Sequence, residues 1–340
     1  MRAALMQRGR IWVDDLEMPK PGPGELLVRS LACGICGSDL HAAAHTDEFV
    51  ATSREAGGAF KLTTFDPVVL GHEFAAELVD YGPDTERRLN PGDVLCSVPV
   101  LTRAAALPIG YSNEAHGAFA EFFLLSERLA LPVPAGTPAH LAALTEPMAV
   151  GLHAVRKAAV GEGQTALVLG CGPVGLAVIT ALKAAGAAAV IATDFSPGRR
   201  EFAAKQGADV LFDPAQADPF EQPDIRAAKD LVVFECVGVP GMLDGVFLGA
   251  PRNARIVVVG VCLQTDHIRP LVAVNKELNV QFVLGYSLAE FAETLKGIAE
   301  GTLAVEGLVT GRVGLDEVAD AFEALSSPQQ HAKIIVEPRR

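Results

Sequence analysis

The chain is poor in cysteine for its length, with six thiols (33, 36, 96, 171, 236 and 262) scattered over 340 residues. That is not the dense, regular spacing of a secreted disulfide scaffold, so reduced thiols and a cytoplasmic protein are expected. Positive charge is also scarce: 28 Lys and Arg stand against 41 Asp and Glu, a formal net charge of −13. Such an acidic surface argues against nucleic-acid or anionic-membrane partners and favours a soluble protein. No apolar h-region precedes the charges and prolines of MRAALMQRGRIWVDDLEMPKPGPGE, so no signal peptide is expected. Only the uncharged run from Gly163 to Leu182 is long enough to span a bilayer. Glycines and a proline break its middle, which fits a buried strand, a tight turn and a buried helix better. Internal repeats and low-complexity tracts are absent.

What is present suffices for two domains, since half the residues are apolar and the chain is too long for one core. Up to about residue 150, ELLVRSLACGI, VVLGHEFAAELVDYG, GDVLCSVPV and AFAEFFLL read as strands bounded by turn residues. From residue 165 short apolar runs alternate with Ala-rich helical stretches: TALVLG, AAVIATD, ADVLFD, LVVFECVG, RIVVVGV and VQFVLGY. Six buried strands separated by helices predict an α/β fold with a doubly wound parallel sheet of Rossmann type. Two amphipathic helices (SLAEFAETLKGIAEG, LDEVADAFEALSS) and a strand (HAKIIVEP) close the chain, and PVPAGTPAH (132–140) is the most linker-like segment.

Gly170, Gly172 and Gly175 form a G-x-G-x-x-G with Cys171, Pro173 and Val174 between them, directly after a strand and opening a helix. The first glycine permits the turn, the second lets backbone approach a pyrophosphate, and the third allows close packing of helix on strand. The helix N-terminus offers free N–H groups to the phosphates. Asp194 ends the next strand, 19 residues after Gly175, where a carboxylate binds the adenosine ribose hydroxyls and repels a 2′-phosphate. NAD is therefore favoured over NADP, although Arg199 is placed to meet a 2′-phosphate.

CGICGSDLH (33–41) allows two chemistries. Cys33 and Cys36 could be a redox pair or half a zinc clip; alternatively Cys36 alone ligates a metal amid Ser38, Asp39 and His41. His72 and Glu73 are adjacent in VVLGHEFAAELVDYG, and Glu146 lies in LTEPMAVGLHAV. Cys, His and carboxylate all suit zinc, and a catalytic site needs three protein ligands and one open position.

CGICGSDLH, GHEFAAELVDYG, GAFAEF, EPMAVGLHAV, GCGPVGL and HAKIIVEP stand in the order and spacing of the zinc-dependent medium-chain dehydrogenase/reductases. The resemblance covers essentially the whole chain and is to the sorbitol, butanediol and threonine dehydrogenase branch. It implies a GroES-like β-rich catalytic domain (1–148 and 284–340) around a cofactor domain (149–283). By resemblance Cys36 and His72 are zinc ligands, Glu73 is a ligand or exchange partner, and Glu146 binds the metal or holds its water. Asp39 matches the carboxylate that orients the ligating histidine, and Ser38 and His41 match a proton relay running by way of the cofactor ribose. Cys33 becomes a strand residue. The implied activity is dehydrogenation of a secondary alcohol or polyol with NAD; the alternative is an NADPH-linked aldehyde, ketone or quinone reductase. The last cofactor-domain strands pair across a two-fold axis in the family, so a homodimer or homotetramer is expected.

Two departures stand out. Where many relatives carry four cysteines for a structural zinc, residues 95–121 hold only Cys96; one catalytic zinc per subunit and no structural zinc follow. The span 42–68 is long and begins beside the site, so it is expected to shape substrate access. His45 reads as a solvated loop histidine. Tyr111, Ser112 and Asn113 of the shortened lobe lie near the substrate by analogy. Cys171, Cys236 and Cys262 read as small core residues, and His116, His140, His153, His267 and His331 as structural.

Overall fold

The computed structural model describes residues 1–58, 60–228, 230–327 and 330–340. Its first sheet is built on the antiparallel strands Glu25–Gly34 and Glu73–Tyr81, paired so that Gly34 faces Glu73 and Cys33 faces Phe74. Strands Phe122–Ser126, Val94–Ser97 and Ala130–Pro132 extend it. The C-terminal strand Lys333–Val336 adds to the other edge of Glu25–Gly34, setting Ile335 opposite Gly34. All four residues of this closing strand are buried. The two ends of the chain sequence therefore meet beside Gly34 and Glu73.

Among the described residues the second sheet has six strands, all parallel: Thr165–Leu169, Ala189–Thr193, Val210–Phe212, Val232–Glu235, Arg255–Val258 and Asn279–Phe282. Numbered one to six in sequence, they lie in the order 3-2-1-4-5-6, the doubly wound arrangement whose switch point binds dinucleotides. Val232–Glu235 is buried throughout, as expected of strands covered on both faces.

A bridging helix, Thr145–Lys157, joins the sheets and packs on the helix Pro173–Ala184. A Cβ on Gly151 would come within 2.4 Å of the Ala177 carbonyl carbon, so glycine is what allows this approach. One apolar cluster runs through the junction, from Ala32, Ala75 and Cys96 to Ala177, Val178 and Ile335. The 148/149 division suggested by resemblance falls inside the bridging helix. The apolar run 163–182 becomes strand, turn and helix, and among the described residues no helix is long and apolar enough to cross a membrane.

The span 42–68 is not the loop it reads as. Helices Gly37–Ala44 and Thr46–Glu55 occupy its first half, burying Ala42, Ala43, Thr46 and Phe49. Residue 59 of this span lies outside the described residues. Cys262 also departs from expectation: it is half-buried on a loop, its Sγ 3.4 Å from the Gln264 carbonyl oxygen, not in the core.

Candidate active site

The site forms where strand Glu25–Gly34 gives way to helix Gly37–Ala44. Cys36 is the N-cap, in extended backbone, and the Asp39 side chain folds back so that Oδ2 accepts the Cys36 N–H at 2.9 Å. His72 is delivered by a turn at Gly71, whose φ of +100° suits glycine. A Cβ there would also meet Phe119 at 2.7 Å and the Cys33 sulfur at 2.9 Å. As a result one ligand atom each from Cys36, His72 and Glu73 lies within 4.8 Å of the others. His72 Nδ1 is 3.4 Å from Asp39 Oδ1, an ion-pair contact without hydrogen-bond geometry. An imidazole braced by a carboxylate and set beside a thiol and a second carboxylate fits a metal-binding histidine. Burial pulls the His72 pKa down, but Asp39 and Cys36 outweigh it and hold it well above the ordinary value.

Glu73 is fully buried, and its partner was not foreseen. Lys333, 3% exposed, donates from Nζ to both carboxylate oxygens at 2.7 Å and to the Ile35 carbonyl at 3.1 Å. Burial lowers the Lys333 pKa; the charges of Glu73 and Cys36 outweigh that and keep it raised. Gly34 makes room for the carboxylate, since a Cβ there would sit 2.1 Å from Glu73 Oε2. Lys333 lies within the HAKIIVEP motif, where a lysine inside a buried strand was the available signal.

Glu146, in the first turn of the bridging helix, stands beside this triad rather than within it. Its Oε1 accepts the Tyr286 hydroxyl at 2.9 Å. Burial raises its pKa, with nearby His72 acting the other way and Glu73 reinforcing the rise. Ser38 and His41 share a helix face three residues apart, Ser38 half-buried and His41 exposed. Although His41 is open to solvent, partial desolvation and the neighbouring His45 lower its pKa. Of the three lobe residues only Tyr111 reaches the site: its hydroxyl lies 2.7 Å from Ser38 Oγ and 3.0 Å from Asp39 Oδ1. Asn113 instead holds the end of the insert, donating to the Asp66 and Pro67 carbonyls.

At the glycine-rich turn, Gly170 has φ +91° and a Cβ on Gly175 would lie 1.9 Å from the Gly170 carbonyl oxygen. The third glycine thus closes the turn on itself as much as it packs the helix. Gly172, the N-cap of helix Pro173–Ala184, has open space where its Cβ would be and no side chain caps the helix. Pro173 takes the first helical position, where no N–H is needed, so the N–H groups of Val174 and Gly175 face the opening unclaimed by a capping side chain. This is the cradle a pyrophosphate fits. Asp194 is tied to the turn: Oδ2 accepts the Cys171 N–H at 2.9 Å and Oδ1 the Ser196 N–H at 2.8 Å. Arg199 Nη1 stands 3.8 Å from Asp194 Oδ2.

Residues 22–135 match the alcohol dehydrogenase GroES-like domain, and residues 173–300 match the zinc-binding dehydrogenase domain. The chain is 33% identical to (R,R)-butanediol dehydrogenase of Bacillus subtilis (strain 168), over 99% of this chain and all of that one. It is 30% identical to sorbitol dehydrogenase of the same organism, over 100% of this chain and 98% of that one. A crystal structure of a zinc-binding dehydrogenase from Sinorhizobium meliloti 1021, described as putative and bound to NADP, is 28% identical with a TM-score of 0.85, covering 99% of both chains. This chain belongs to the zinc-dependent alcohol dehydrogenase family.

Proposed function

We propose that the protein is a dehydrogenase of a secondary alcohol or polyol, using one catalytic zinc per chain and NAD. The observation that carries this is the convergence of Cys36, His72 and Glu73 within 4.8 Å, next to a dinucleotide cradle. The butanediol and sorbitol dehydrogenase relatives support the substrate class. When bound, the zinc supplies a Lewis acid that acidifies the alcohol hydroxyl, and NAD supplies the hydride acceptor.

Cys36, His72 and Glu73 would hold the metal, with Glu146 at its open side. Asp39 fixes the His72 ring; Ser38 accepts the hydroxyl proton and His41 returns it to solvent. Gly170, Gly172 and Gly175, with Pro173 and Val174, take the pyrophosphate, and Asp194 the adenosine ribose. The functional units are then a catalytic domain of 1–148 and 284–340 and a cofactor domain of 149–283. The lack of a cysteine cluster supports the absence of a structural zinc. The edge strand Asn279–Phe282 supports a homodimer, singly or doubled, because Phe282 is 69% and Leu284 87% exposed beside it. A cytoplasmic setting follows from the scattered free thiols.

Arg199 supports a second reading, an NADPH-linked aldehyde, ketone or quinone reductase, as does the NADP-bound relative. A panel of secondary alcohols, diols and sugar alcohols, assayed with each cofactor alongside metal analysis, tests both. Cys36→Ser should abolish turnover and leave NAD binding nearly intact. Loss of both together, or two zinc ions per chain in the wild type, would contradict the proposal.

A further inference from the structure

We propose that Tyr111 is a positioning residue for Ser38, and that the 42–68 insert acts on the chemistry by holding Tyr111 in place. The inference rests on the reading of Ser38 as the proton acceptor. It starts from a phenol with one hydrogen and two oxygen neighbours, Ser38 Oγ at 2.7 Å and Asp39 Oδ1 at 3.0 Å. A carboxylate accepts hydrogen bonds and has none to give, and a bond to a charged acceptor is the stronger. The phenolic hydrogen therefore goes to Asp39, which leaves the Tyr111 oxygen to accept from the Ser38 hydroxyl. With its own hydrogen committed, Ser38 presents lone pairs to the open side of the site. That orientation accepts the alcohol's hydrogen bond; as its proton transfers to Ser38, the Ser38 hydrogen leaves Tyr111 and passes on towards His41, so the hydroxyl stays neutral.

Two sets of contacts keep the phenol there. The Tyr111 ring is 5% exposed and packs 4.8 Å from the Phe60 ring and 5.7 Å from Phe49, which stack on each other at 4.7 Å. Its remaining side meets His72, with ring centroids 5.0 Å apart. The backbone is stitched as well, the Lys61 N–H donating to the Tyr111 carbonyl at 2.8 Å and the Thr63 N–H to Asn113 Oδ1 at 2.8 Å. The insert reaches the cofactor domain too, through the Thr52 hydroxyl and the Leu263 carbonyl at 3.4 Å. An aromatic stack buried against two sides leaves the phenol little freedom, so Ser38 has a fixed partner rather than bulk water.

The test is a double-mutant cycle on the zinc-loaded, full-length enzyme with its best secondary alcohol and NAD. Tyr111→Phe keeps the ring stack and removes only the oxygen. It should lower kcat roughly tenfold or more, leave the KM for NAD within about twofold, and retain full zinc. In a Ser38→Ala background the same change should have no further effect, because its route has been removed. Equal losses in both backgrounds would show that the Tyr111 oxygen acts independently of Ser38, through Asp39, and overturn the proposal, as would an unchanged kcat in Tyr111→Phe. If Ser38→Ala itself keeps full activity, the proton-acceptor reading fails along with this inference; a slow Ser38→Ala enzyme with additive losses sinks only the role of Tyr111. Zinc content and melting temperature of each variant separate a folding defect from a catalytic one.

Discussion

Replacing Lys333 with methionine tests the centre of the site, because it leaves the Glu73 carboxylate buried with no cation beside it. In the wild type that carboxylate is fully buried and takes two 2.7 Å bonds from a lysine that is 3% exposed. Breaking such a pair from one side costs about 3–5 kcal/mol, since the remaining charge is uncompensated. Each kcal/mol moves the melting temperature of a domain of this size by about 2–4 °C, so chelator-treated Lys333→Met should melt on the order of 10 °C below the equally treated wild type. Zinc changes the balance. If Glu73 is a ligand, the metal takes up the freed carboxylate, and the zinc-saturated variant should recover at least half of the loss. Adding Glu73→Gln to Lys333→Met should also recover stability without zinc, because the charge left unpaired by the loss of Lys333 is gone. Scanning calorimetry with and without zinc reads all of this. A deficit of the same size in both conditions would remove Glu73 from the ligand set, and no deficit at all would refute the pairing argument.

Gly34→Ala drives a Cβ to 2.1 Å from Glu73 Oε2; with Lys333 pinning the carboxylate, zinc content under limiting metal should fall, and an unchanged zinc titration would show that the cradle can yield. Asp194→Ala removes both the proposed ribose partner and the two backbone bonds that brace the glycine turn. The KM for NAD should rise roughly tenfold, the worth of about one hydrogen bond to a charged group, and the KM for NADP should rise less. Equal increases would discredit the ribose assignment. As the proposed proton exit His41 must be neutral, and desolvation and His45 both lower its pKa from 6.5. Alcohol oxidation should therefore hold as pH falls past 6.5 and fail only at lower pH, once His41 is protonated; His45→Ala, which removes one depressing neighbour, should move that acidic limb to higher pH. A limb that stays put or moves lower in His45→Ala would exclude His41 as the group responsible.

Legibility in the sequence tracked how local each feature is. The cofactor sheet could be read because its strands are short, mostly apolar runs, and in the four central ones burial on both faces leaves few other residues possible. Cys36, Ser38, Asp39 and His41 could be read because one strand end and one helical turn hold them all. Lys333 could not, since it pairs with a residue 260 positions away, and that meeting depends on which sheet edge the last strand joins. Tyr111 could be placed near the substrate by analogy, but its bond to Ser38 could not be read, since the two lie 73 positions apart. The insert is a different case. Ala42, Ala43, Thr46 and Phe49 are its buried positions, with Val50 half-buried beside them, and spacings of one, four, seven and eight residues are those of a helix face. Its polar remainder, broken at His45, made a solvated loop the easier reading. That face is also what mounts Phe49 against Tyr111, so the helical period in the insert and the phenol beside Ser38 are one feature seen at two scales. A long insertion beside a metal-binding type of site therefore need not act as a lid: here its buried face reaches Ser38 through a single aromatic ring.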